Sequence, residues 1–143
     1  MIRFPLWTRA ARLRCRALCP PALLLAGVLL PASADARRLH VDAAAGNDSA
    51  DGLTPATAWR SLEKVNGFAY QPGDSILFRR GERWTGQFNP AFGQGTAQHP
   101  VFVGAYGVGA RPGIDGQGLF QDAVVLQNRS YWILTTLEVT NLG

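Results

Sequence analysis

Beyond Gly67 the chain is written in short apolar runs, each broken within a few residues by glycine, proline or asparagine. Pro72-Gly73-Asp74 turns into Ser75-Ile76-Leu77-Phe78, and Arg79-Arg80-Gly81 turns into Glu82-Arg83-Trp84. After a Gly-rich stretch (91–98) come Pro100-Val101-Phe102-Val103-Gly104-Ala105-Tyr106, Ile114-Asp115-Gly116 and Ala123-Val124-Val125-Leu126-Gln127-Asn128. Tyr131-Trp132-Ile133-Leu134 and Leu137-Glu138-Val139-Thr140-Asn141 complete the series. Runs this short, without helical periodicity, predict an all-β body. From Ile76 to Val101 is 25 residues and from Val101 to Ala123 is 22. Such a period suits a solenoid, in which each coil buries its apolar face against the next. A β-sandwich fragment also sets strands between turns; the period is what favours the solenoid.

The part before Gly67 reads differently. Leu39-His40-Val41-Asp42 alternates like a strand, and the Asn, Asp and Gly of 45–52 form a turn-rich stretch because those residues accept left-handed backbone angles. In 57–68, Trp59, Leu62 and Val65 recur every third residue and Gly67 stands where a helix would stop. One short helix with an apolar stripe is predicted there.

The first 36 residues have the anatomy of a cleavable export signal. Arg3, Arg9, Arg12, Arg14 and Arg16 precede an apolar run from Ala22 to Leu30, closed by Pro31. Ala32-Ser33-Ala34 and Ala34-Asp35-Ala36 are overlapping small-x-small sites for signal peptidase. The apolar run falls well short of the roughly 20 residues that span a bilayer. Cys15 and Cys19 lie ahead of it, where a lipoprotein signal would need its cysteine after it. Residues 1–36 are therefore read as a secretory signal peptide. The mature chain, 37–143, is expected to be secreted or periplasmic, with no membrane attachment after cleavage.

Export reshapes the charge argument. Five of the fourteen basic residues belong to the signal, and from Arg37 onward nine basic residues face nine acidic ones. A neutral mature chain removes the main support for a nucleic-acid partner. Both cysteines leave with the signal, so stability must come from a packed core rather than a disulfide.

The residues also match a known pattern. Val41-Asp42, Gly46-Asn47-Asp48, Asp51-Gly52 and Ala58-Trp59-Arg60-Ser61-Leu62, followed by Pro72-Gly73-Asp74-Ser75-Ile76-Leu77-Phe78-Arg79-Arg80-Gly81, resemble the N-terminal entry of secreted right-handed parallel β-helix proteins of the pectate-lyase-like superfamily. The run from Pro100-Val101 through Tyr106-Gly107 to Pro112-Gly113-Ile114-Asp115-Gly116 is similar to the next coil, and residues 131–141 look like the first regular rungs. The resemblance implies an N-terminal cap with one short α-helix followed by the first coils. Trp59, Leu62 and Val65 would plug the core, and the helix would cover an edge that could otherwise recruit another chain. Asn128 and Asn141 would stack along a corner or serve as ordinary turn residues. The implied activity is polysaccharide processing by a lyase or glycoside hydrolase, the alternative being a non-catalytic β-helix surface or carbohydrate-binding protein, or an inactive fragment. In that superfamily the working cleft lies on later coils.

No residue here is nominated as catalytic, substrate-binding or metal-ligating. Asn47-x-Ser49-x-Asp51-Gly52 echoes a calcium loop, but its twelfth position is Ala58 rather than a carboxylate. It reads as a plain turn, leaving room only for a weak site on Asp48 and Asp51. No cofactor is implied for this segment; Ca²⁺ belongs, if anywhere, to a longer protein. A lyase needs positive charge and a base, and Arg79, Arg80, Arg83 and Lys64 are read instead as solvent-facing and structural. A glycosidase needs two carboxylates about 5–10 Å apart, and no pair among Asp115, Asp122 and Glu138 shares a strand at i, i+2. His40 and His99 stand without a Ser or Cys partner. Trp84, Tyr106, Tyr131 and Trp132 could stack on sugars, yet aromatics inside apolar strands belong more often to the core. The oligomeric state is not readable. With about three to four coils in hand, the chain is expected to be part of a longer functional unit.

Overall fold

The computed structural model describes residues 35–143. The expected signal segment therefore lies, apart from its last two residues, outside the described residues.

The body is mostly sheet, and every strand pairing is parallel. The first sheet runs β1 (Arg38–Val41), β3 (Ser75–Arg79), β6 (Val101–Tyr106), β8 (Trp132–Leu134). The second runs β4 (Arg83–Thr85), β7 (Gly113–Asp115), β9 (Glu138–Thr140), and a two-stranded sheet joins β2 (Ala69–Tyr70) to β5 (Phe92–Gly93). Each sheet collects strands from successive passes of the chain, and the register keeps like with like. Leu39, Ile76, Val103 and Leu134 form one column of the first sheet, and Trp84, Ile114 and Val139 one column of the second. Leu39, Ile76, Val103, Trp84 and Ile114 are buried, whereas Val139 is half exposed.

The true steps are longer than the apparent period. Ile76 pairs with Val103 and Val103 with Leu134, steps of 27 and 31 residues. The segment at Ala123 does not join the first sheet at all; it contributes a single bridge, Val124 to Phe88. The 22-residue spacing thus joined segments that belong to different pairings. Passes differ in length because turns such as 94–99 and 116–122 are of different sizes, while only the short strands must stay in register.

The helix also needs correction. A 3₁₀ turn, Pro55–Thr57, is capped by Thr54, and α1 spans only Leu62–Asn66, with Ser61 as its N-cap accepting from Lys64 N–H. Trp59 lies between the two in extended backbone, bridged to Val41: its N–H donates to His40 O, and its C=O accepts from Asp42 N–H. Pairing with the free edge of β1 satisfies two backbone groups that a helix through Trp59 would have left to its own turn. The three expected core residues are nonetheless buried together, Trp59 at 1%, Leu62 at 6% and Val65 at 0% exposure. Trp59 Nε1 donates to Ala50 O at 3.0 Å. Gly52, at φ +75°, lies against the indole, and a side chain there would collide with it.

Inside, aromatic edges meet faces. Phe78 meets Trp84 at 4.9 Å and Phe88 at 6.0 Å between ring centres, and Trp132 meets Tyr70 at 5.4 Å. Such pairs each stabilise by about 0.5–1.5 kcal/mol beyond burial. The core thus ties the first sheet to the second.

Candidate functional site

Two features gather polar chemistry: a carboxylate pair at the end of β1 and β3, and clefts on either side of α1.

At the first, the parallel pairing of β1, β3 and β6 brings Asp42, Arg79, Glu82 and Tyr106 together. Asp42 is 2% exposed. Its Oδ1 accepts from Ala44 N–H and Ala45 N–H at 3.0 and 2.7 Å, and its Oδ2 accepts from Arg79 Nη1. Glu82 Oε2 accepts from Ala43 N–H at 2.5 Å, and Glu82 Oε1 lies 3.7 Å from Arg79 Nε. Burial pushes both carboxyls up. For Asp42 the Ala45 N–H and the Arg79 guanidinium outweigh it and hold the group below its ordinary value. For Glu82 burial prevails, helped by the Asp42 charge and opposed by the Ala43 N–H, and the group sits above its ordinary value. Tyr106 is raised by burial and then by Asp42, and its hydroxyl has no hydrogen-bond partner among the described residues. The His40 ring meets Tyr106 edge-on at 4.9 Å. Asp42 spends its lone pairs on backbone and guanidinium, so this cluster fastens loop 42–46 rather than offering a free acid and base.

The second feature flanks α1. One cleft, about 440 Å³, is lined by Asp48, Ser61, Glu63, Lys64 and Phe68. The other, about 420 Å³, lies between α1 and the 85–89 segment and is bordered by Glu63, Asn66, Thr85, Gln87, Asn89 and Phe120. Both volumes fall in the range of small-ligand sites. The walls of the second are tied down. Asn66 Nδ2 donates to Gln87 O and its Oδ1 accepts from Asn89 N–H, both at 2.8 Å. Gln87 Nε2 donates to Asp122 O, and Asn141 Nδ2 donates to Phe120 O, each at 2.8 Å. Phe120 is thus held on an anchored loop, the residue 40% exposed. An aromatic face beside amides and a carboxylate is the composition of a sugar-contacting surface, and no basic residue lines this cleft.

Asp48 Oδ1 accepts from Arg60 N–H and Ser61 N–H, and Asp51 Oδ1 from Leu53 N–H, so the calcium-like stretch is a set of side-chain turns. Among the described residues no group of three or more His, Cys, Asp or Glu is placed for a metal ion. Arg79 pairs with Asp42, Arg83 with Glu138 at 2.7 Å, and Lys64 lies over the Trp59 ring at 5.4 Å. Arg80 is limited to a 3.5 Å contact with Gly109 O. Asp115 Oδ1 accepts from Gln117 N–H, Asp122 is exposed, and His99 sits in an exposed turn closed by Thr96. Trp84 is buried and Tyr131 exposed; Trp132 Nε1, like the Tyr106 hydroxyl, lacks a partner among the described residues. Asn128 takes φ +55° as a turn residue, whereas Asn141 binds the Phe120 loop. Phe120 and the Asp42–Glu82 pair were missed. Both depend on contacts between passes of the chain, although the exposed Leu119-Phe120 pair after Gly116 and Gly118 was a legible sign of an apolar loop.

No family model matches the chain. Among characterised proteins, a lacto-N-biosidase of Bifidobacterium longum subsp. longum is 30% identical across 71% of this chain and 8% of its own length. An alpha-1,3-galactosidase A of Akkermansia muciniphila is 33% identical across 45% of this chain and 10% of its own. The solved GH136 lacto-N-biosidase of Eubacterium ramulus superposes with a TM-score of 0.67 at 32% identity, over 73% of this chain and 20% of that one. Its selenomethionine form gives 0.66 at 34%. This chain therefore spans between 8% and 20% of the relatives it matches.

Proposed function

We propose that this chain is the N-terminal, capping part of an exported right-handed β-helix protein that acts on carbohydrate as a glycoside hydrolase. The observation that carries the reading is the TM-score of 0.67 at 32% identity to a lacto-N-biosidase, reached across sheets whose pairings are all parallel. Successive coils, a short helix over the first, and columns of like residues are what such a solenoid requires. Both named relatives are hydrolases, which supports hydrolysis over the lyase chemistry that the pectate-lyase-like resemblance also allowed. Two of the three arginines that a lyase could have used to neutralise uronates, Arg79 and Arg83, are engaged with Asp42 and Glu138.

In this reading the segment caps the solenoid and the catalytic carboxylates come from later coils. The cleft under Phe120 is the part of the segment best suited to meet a sugar, and its Glu63 disfavours an anionic one. A glycan array probed with the full-length protein tests the proposal. Retention of neutral galactose-containing glycans over oligogalacturonates supports it; a preference for uronates, or retention of none, overturns it.

A further inference from the structure

Two cleavage sites overlap in the sequence, after Ala34 and after Ala36, and the structure distinguishes what each would leave behind. Asp35 and Ala36 are exposed, and neither is bonded to the body among the described contacts. Arg37 is different. Its backbone N–H donates to Asp74 Oδ1 at 2.9 Å, its Nε to the same oxygen at 3.2 Å, and its Nη2 to Asp74 Oδ2 at 2.6 Å. Its C=O accepts from Ser75 N–H at 2.8 Å, and its guanidinium carbon stands 4.7 Å from the centre of the Phe68 ring. Asp74 is fully buried and also accepts from Gln71 N–H at 2.8 Å. A buried carboxylate is tolerated only when charge and hydrogen bonds compensate it, and here one residue supplies most of both.

We propose that export processing cuts the Ala36–Arg37 bond, and that the new α-ammonium of Arg37 becomes a second cation on the buried Asp74 carboxylate. This rests on residues 1–36 being a cleaved signal. One water supplies the oxygen that completes the Ala36 carboxylate and both hydrogens that convert the Arg37 amide nitrogen to ammonium. The nitrogen need not travel, because the Ser75 N–H and the β1–β3 pairing already hold Arg37. A neutral amide donor on Asp74 becomes a charged one, and charged donors bind carboxylates roughly twice as strongly. Cutting after Ala34 would leave the ammonium two residues away in solvent, with no such gain. Processing would then also complete the fold, fixing the start of β1 to the turn that leads into β3.

The test uses the full-length protein in two forms, one beginning at Arg37 and one at Asp35, each released from a fusion without added residues. The N-terminus of the naturally exported protein is read by mass spectrometry alongside. The proposal expects a natural start at Arg37 and a higher melting temperature for the Arg37 form. The difference should vanish in Asp74→Asn versions of both forms. It should also fade as pH rises past about 8, where the α-amino group, held up by Asp74, loses its proton. The charged and titratable groups around it are Asp74, the Arg37 guanidinium, Tyr70 and, across Gly73, His99. If Asp74→Asn proves too unstable to purify, Arg37 forms with an acetylated and a free α-amine make the same comparison. A natural start at Asp35, or equal melting temperatures, overturns the proposal. A protein that retains Arg3 overturns the signal reading itself.

Discussion

The carboxylates of Asp42 and Glu82 meet on one guanidinium, that of Arg79, although 40 residues separate them in the chain. Asp42 faces two further donors in loop 42–46, and Glu82 faces the Ala43 N–H. One positive charge thus serves a buried acid and a half-buried one, and the burden falls on Glu82.

A pH dependence follows. Glu82 sits above its ordinary value of 4.5, so its ionised form is disfavoured in the folded state, and folding is relieved as pH falls toward and through its raised value. Asp42 sits below 3.8, so the stability it contributes is present above that value and is lost only as pH falls through its lowered one. Thermal melts of the wild type should therefore show stability rising as pH falls through the raised Glu82 value toward 4.5, and falling only below about 3.8 as Asp42 takes up its proton. Glu82→Gln keeps an acceptor for Ala43 N–H and removes the repulsion. It should flatten the upper limb and raise the neutral-pH melting temperature by about 2–4 °C. A lower melting temperature for Glu82→Gln would show that the Arg79 contact outweighs the repulsion.

Trp59 carries a second prediction. Its indole is buried against Gly52 and Phe68 and hydrogen-bonded to Ala50 O. Trp59→Ala should destabilise by about 3–5 kcal/mol, as large aromatic truncations do. Arg60→Ala, at an exposed neighbour, should change stability by no more than about 0.5 kcal/mol. Equal small effects in denaturant melts would mean that this segment is not part of the core.

How far the sequence reached is visible in these same residues. Trp59, Leu62 and Val65 were legible as core because apolar side chains at regular spacing must be buried somewhere. The element that carries them was not, because the backbone of Trp59 pairs with Val41, a tertiary contact that overrides a three-residue spacing. The all-β character was legible from the glycine and asparagine breaks. The register was not, since Ile76 meets Val103 rather than Val101 and Ala123 belongs elsewhere. Loop lengths set which strands align, and a single sequence does not fix how a loop folds back. The Asp42–Glu82 pair and the Phe120 cleft are contacts between passes, so they became visible only once the register was known.

Asn141 ties β9 to the loop before it. It accepts from Gly118 N–H at 3.2 Å and donates to Phe120 O and Gln121 O. Asn141→Ala should cost about 1–2 kcal/mol and speed amide exchange at Gly118. Unchanged exchange at Gly118 would remove Asn141 from this role.

Phe120 should matter for sugar rather than for stability. In the full-length protein, Phe120→Ala should leave the melting temperature within about 2 °C of wild type. It should weaken retention of neutral galactose-containing oligosaccharides roughly threefold or more, an effect of about 0.7 kcal/mol. Unaltered retention would show that the cleft beside α1 is not a sugar contact.

The central proposal is that the full-length protein is a carbohydrate-active hydrolase built on parallel coils. It is tested most directly by incubating the full-length exported protein with an oligosaccharide that ends in lacto-N-biose, and with an α-1,3-linked galactoside, and following products by mass spectrometry. The account predicts release of a sugar unit with gain of one water and no unsaturated product. Unsaturated products from uronate polymers, or no cleavage of either galactose-containing substrate, would contradict it.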